Sequence, residues 1–148
     1  MIKRLLLIIV SLLTLAGCGN TNKNAFYLES KFYNKGEFVL VNSEEIKEYS
    51  KDSFVLYAYN NYCIFPTSCE DVFKTVMEKY HLDFLSMHFD EFKNTSYYEE
   101  VKYAPSIIIV KKGKIIAYLD ADKDEDLNKY QNVEEFENWL KKYIYLRK

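Results

Sequence analysis

Several kinds of residue are scarce in this chain, and each scarcity closes off a class of function. Only two histidines and three cysteines occur in 148 residues, and His81 and His88 stand at no ligand-like spacing to Cys63 and Cys69. Zinc needs a third and a fourth ligand beyond two thiols, so no metal site and no cofactor are expected. Basic charge is not in excess either: 20 Lys and Arg against 22 Asp and Glu give a formal charge of −2. With no basic patch, nucleic acid is not an expected partner. The sequence contains no internal repeat and no long low-complexity stretch. Its longest apolar run, near the N-terminus, falls short of the roughly 20 residues that a membrane-spanning helix requires.

That run reads instead as part of a leader. Lys3 and Arg4 form a basic start, residues 5–15 are almost wholly apolar, and small residues follow, the layout of an export signal. Leu15-Ala16-Gly17-Cys18 at its end resembles the lipobox of bacterial lipoproteins. The resemblance implies removal of residues 1–17, a diacylglycerol thioether and further acylation (palmitate or similar) on Cys18, and anchoring at the extracytoplasmic face of the cell membrane. Loss of Lys3 and Arg4 with the leader takes the formal charge to −4 over the remaining 131 residues, a length for one domain. The expected organisation is a signal peptide over 1–17, a lipidated N-terminus and tether over 18–36 that includes the small, polar "GNTNKNA", and a folded domain over 37–148.

Outside the reducing cytosol disulfides persist, and with Cys18 taken by lipid, Cys63 and Cys69 remain as a pair. They lie in "NNYCIFPTSCEDVF", between an apolar run and a helical pattern. Strand-like runs are predicted at 37–42, 54–60 and 83–90, and a hairpin in "PSIIIVKK" and "KIIAYLDA" around Gly113. A short helix is predicted at 43–50, capped by Asn42 or Ser43. A longer one follows from Cys69, with Val72, Phe73, Val76, Met77 and Tyr80 on one face, and a last one in "NVEEFENWLKKYI", with Val133, Phe136, Leu140 and Tyr143 inward. Strand-helix alternation followed by a hairpin and a closing helix predicts an α/β domain with a mixed sheet between helices.

This order, Tyr62-Cys63 at the end of the central strand, and Ala104-Pro105-Ser106 before the hairpin together resemble the thioredoxin-like family over 37–148. The resemblance implies a three-layer sandwich with a mixed central sheet flanked by helices. It also implies a cis peptide bond at Pro105 and a redox-active dithiol in which Cys63 is the first cysteine and Pro105 lies beside it. An extended substrate would pair with the backbone next to that proline.

The chain departs from the family in the cysteine loop and beneath it. Five residues, Ile64-Phe65-Pro66-Thr67-Ser68, separate the cysteines where the family has two, and the family's buried acidic residue falls near Tyr57, where no carboxylate stands. Thr67-Ser68-Cys69-Glu70 fits a capping box, with Thr67 as cap and Cys69 in the first helical turn. There the helix dipole favours a thiolate while Glu70 and Asp71 oppose it, so the attacking cysteine stays open between Cys63 and Cys69.

Two functions fit these residues. In one, the anchored domain is a thiol-disulfide oxidoreductase acting on exported proteins or a membrane redox partner through a reversible Cys63–Cys69 disulfide. In the other, that disulfide is structural and the scaffold is a non-catalytic binding or accessory lipoprotein. A further stretch, "DADKDEDLNKYQ", has aspartates at alternate positions, but Glu125 and Gln131 occupy the glycine and glutamate positions of a calcium loop, so it reads as a solvated acidic turn.

Overall fold

A computed structural model describes residues 25–61 and 68–147. Cys18, Tyr62, Cys63, Pro66 and Thr67 therefore lie outside the described residues, and so does the predicted signal segment. Among the described residues no helix is long and apolar enough to cross a membrane.

Five strands form one sheet: β1 (Phe38–Leu40), β2 (Phe54–Tyr59), β3 (Phe84–His88), β4 (Ser106–Lys111) and β5 (Lys114–Asp120). They lie in the order β1-β3-β2-β4-β5. β3 runs parallel to both β1 and β2, while β4 is antiparallel to β2 and to β5. The helices are α1 (Cys69–Tyr80), α2 (Phe89–Phe92), α3 (Asp124–Gln131) and α4 (Val133–Leu140).

Continuous apolar runs fix the centre of the sheet. Phe54, Val55, Leu56 and Ala58 of β2 and Ile107, Ile108, Ile109 and Val110 of β4 are all fully buried, as strands covered on both faces must be. On one face the side chains of α1, α3 and α4 meet: Phe73 packs edge-on against Tyr57 and Tyr130 and lies 4.7 Å, centroid to centroid, from Phe136. The other face is covered by short helical turns, with Phe32, Tyr49 and Tyr97 against Phe54. The hairpin closes through Lys112 and Gly113, both at positive φ as a two-residue turn between right-twisted strands demands. A Cβ on Gly113 would stand 2.1 Å from the Ser50 carbonyl oxygen, so only glycine fits.

Three expectations need correction. The domain begins before residue 37: Phe26 pairs with Ile144, and Leu28 and Phe32 are buried. This segment is anchored by the buried Asp83, one oxygen of which accepts the backbone N–H groups of Lys35, Gly36 and Glu37. The acidic stretch after β5 is not a turn throughout but forms α3, with Asp124, Glu125 and Asp126 in its first turn, where the helix dipole favours negative charge. The predicted helix at 43–50 is a 3-10 turn over Glu45–Tyr49, whose start Asn42 caps by accepting from the N–H groups of Glu44 and Glu45.

Candidate functional site

The candidate site is the ground between the end of β2, the start of α1 and the loop that enters β4. β2 ends at Tyr59, and Cys69 is the first residue of α1. The residue preceding the helix is Ser68, which makes no side-chain cap bond; its carbonyl accepts from Asp71 N–H at 3.1 Å. The cap is thus one residue later than Thr67, and Cys69 does open the helix. Next to this exposed cap residue, Cys69 is fully enclosed.

In the loop that enters β4, the Ala104–Pro105 peptide bond is cis, as the resemblance implied. Three side chains tie this loop to its surroundings. Asn60, just past β2, donates its amide to the Ala104 carbonyl at 2.8 Å. Tyr130 of α3 donates its hydroxyl to the Pro105 carbonyl at 2.9 Å. Ser106 donates back to Tyr103 at 2.8 Å. Burial, reinforced by the negative charge of Asp126 and Asp120 and by nearby Cys69, pushes the Tyr130 hydroxyl well above its ordinary range. It therefore stays protonated and keeps donating.

The sulfur of Cys69 meets a phenol of the sheet beneath it. Tyr57, in the middle of β2, places its hydroxyl 3.7 Å from the Cys69 sulfur. Alternation along β2 aims Tyr57 at the α1 side of the sheet, where Phe38, Phe73 and Tyr59 hold its ring at centroid distances of 5.2, 5.4 and 5.7 Å. A recess of about 230 Å³, lined by Phe38, Tyr57, Tyr59, Glu70 and Ser86, reaches this tyrosine from the surface.

Tyr130 bonds the Pro105 carbonyl and feels Cys69 electrostatically, while Cys63 and the rest of the loop lie outside the described residues. Sequence reasoning missed Asn60 and Tyr130 as parts of this site. Tyr130 lay hidden in an acidic run read as a turn; acids at its start and Lys129 at its end were the signal for a helix. His81 sits in the left-handed position that ends α1, and His88 packs against Tyr59. Among the described residues no three His, Cys, Asp or Glu side chains converge as a metal centre requires.

Among solved structures, the chain is similar to thioredoxin NaTrxh from Nicotiana alata, at 18% identity over 65% of this chain and 90% of that one, with a TM-score of 0.48. No family model and no curated protein matches the sequence. The architecture is read from the chain itself: a β1-β3-β2-β4-β5 mixed sheet, a helix opening on a cysteine after the central strand, and a cis-proline loop entering the antiparallel hairpin. The domain has a thioredoxin-like fold.

Proposed function

We propose that this protein is a membrane-anchored, extracytoplasmic thiol-disulfide exchange protein that acts on exported proteins or a membrane redox partner through Cys63 and Cys69. The observation that carries the proposal is the enclosure of Cys69 at the start of α1, in a fold whose hairpin is entered through a cis Ala104–Pro105 loop held by Tyr130. A buried sulfur cannot meet a folded partner first. In this reading Cys63 attacks the partner's disulfide and forms the mixed disulfide, and Cys69 resolves it. Tyr103, about half exposed beside the cis peptide, offers a partner an aromatic contact, and the loop backbone offers it strand-like pairing. Anchoring rests on the basic, apolar and small-residue leader ending on Cys18.

The test is disulfide exchange by the reduced, mature protein on a disulfide-bonded protein substrate. Cys63→Ser should abolish it, and Cys69→Ser should accumulate a mixed disulfide. Cys18→Ser should release the protein from membranes or stall its processing, and unchanged fractionation and migration would refute anchoring. The five-residue spacing favours a second reading, a non-catalytic lipoprotein in which the Cys63–Cys69 disulfide is structural. Under that reading neither serine variant changes exchange.

A further inference from the structure

We infer that the end of the domain built by Tyr27, Tyr33, Tyr145 and Arg147 lies on a membrane surface of anionic phospholipid and turns the Pro105 loop away from that membrane. The inference rests on the anchored reading above and adds to it a contact face and an orientation.

The two ends of the described chain lie side by side. Phe26 donates its backbone N–H to the Tyr143 carbonyl at 2.9 Å, and its own carbonyl accepts from Tyr145 N–H at 2.8 Å. Tyr33 fastens the pair: its hydroxyl donates to the Tyr145 carbonyl at 2.7 Å and accepts from Leu28 N–H at 3.2 Å. Those bonds account for Tyr33 as structure, but they do not account for the exposed rings of Tyr27 and Tyr145, which lie against each other at 4.8 Å. The Arg147 guanidinium stands over the rings of Tyr27 and Tyr33 at 5.2 and 4.4 Å. Lys111 stands over the ring of Phe26 at 4.7 Å. Exposed tyrosine rings interleaved with basic groups match a headgroup layer, where such rings settle at the level of the polar groups and cations meet the phosphates.

Chain length and charge select lipid as the occupant. Seven residues, 18–24, separate the anchoring cysteine from Ala25, and even a fully extended chain of that length spans only about 25 Å. This end of the domain therefore stays within that reach of the membrane. The chain left after removal of the leader has a formal charge of −4, yet residues 18–28 hold Lys23 and no acid, and residues 141–148 hold Lys141, Lys142, Arg147 and Lys148 and no acid. Glu29 is the first acid after Cys18, and Lys31 is already paired with Asp52 at 2.5 Å. A net-acidic domain thus gathers base and loses acid at the end that an anionic surface would attract.

Strand β4 sets the orientation. Lys111, over Phe26, ends the strand, and Ser106 begins it directly after the cis Ala104–Pro105 bond. Five steps of about 3.3 Å put roughly 17 Å between them. With the Phe26 end on the lipid, the Pro105 loop and the exposed Tyr103 stand on the far side, open to exported proteins.

The experiment is hydroxyl-radical labelling of the lipidated protein reconstituted in vesicles, read residue by residue by mass spectrometry. Tyr103, 52% exposed, serves as the reference on the same molecule for Tyr27, 56% exposed. On vesicles of phosphatidylcholine with about one-third phosphatidylglycerol, Tyr27 and Tyr145 should be labelled about fivefold more slowly, relative to Tyr103, than on phosphatidylcholine alone, the factor for one basic side chain held at an anionic surface. Arg147→Glu, at an exposed position, should abolish that difference while the protein still floats with the vesicles. Equal labelling ratios on the two kinds of vesicle, or a difference that Arg147→Glu leaves unchanged, overturn the inference and leave the anchor standing. A protein that floats with neither vesicle overturns the anchored reading and this inference with it.

Discussion

The two ends of α1 bury polar groups in opposite ways. At its C-terminal end, Tyr80 donates to Glu137 of α4 at 2.6 Å, Lys79 reaches the same carboxylate at 2.6 Å, and Lys141 bonds it as well. Both oxygens of a buried carboxylate are hydrogen-bonded there. Burial opposes ionisation of Glu137, yet the hydrogen bonds from Lys141, Lys79 and Tyr80 outweigh it and hold the carboxyl at about 2. At the N-terminal end Cys69 is enclosed, with the Tyr57 hydroxyl at its sulfur and acids rather than bases in the adjoining turn. The first arrangement resists change of protonation and joins two helices. The second places an ionisable sulfur against a neutral hydroxyl.

Breaking the C-terminal end should have the largest effect on stability. Glu137→Ala strands the buried Tyr80 hydroxyl and is expected to cost about 2–3 kcal/mol in urea unfolding, the range for losing hydrogen bonds to a charged group. The site is distant from Cys69 in the helix, so exchange should be unaffected; a parallel loss of exchange would erase the contrast between the two ends.

The same cluster gives the molecule an acid-sensitive limit. A carboxyl depressed from 4.5 to about 2 contributes stability that is fully present above 4.5 and is lost as pH falls towards 2. Allowing for the part-exposed lysines, the contribution is on the order of 2 kcal/mol. Unfolding measured from pH 7 down to pH 2 should show this decline, and Glu137→Gln should flatten it; an unflattened profile would assign the acid sensitivity elsewhere.

At the other end, Tyr130→Phe removes one donor from the Pro105 carbonyl and should cost about 1 kcal/mol, while loosening the loop enough to slow exchange. Asn60→Ala, at a half-buried bond to the Ala104 carbonyl, should cost less than about 1 kcal/mol. If both variants lowered stability as much as Glu137→Ala and left exchange intact, the loop would be a structural joint like the C-terminal cluster.

Much of this contrast was legible in the sequence, and the part that was not has a physical cause. The buried strands and the inward face of α1 announced themselves through apolar runs and helical spacing, and all five residues assigned to that face are buried. α3 was missed because its burial depends chiefly on one residue, Tyr130, in a run of charge, so periodicity had little to detect. The N-terminal segment was taken for tether because its anchor, Asp83, lies far along the chain and works through backbone N–H groups that carry no side-chain signature. That Tyr57 stands where the family keeps an acid was visible in the sequence; that its hydroxyl reaches Cys69 follows only from the register of β2 beneath α1.

The most direct test of the account is the equilibrium reduction potential of the Cys63–Cys69 couple in the mature protein, measured against a thiol redox buffer. A working exchange site predicts a value between about −120 and −270 mV, the span of catalytic dithiols. A value below about −300 mV would mark the bond as a structural staple and contradict the exchange function.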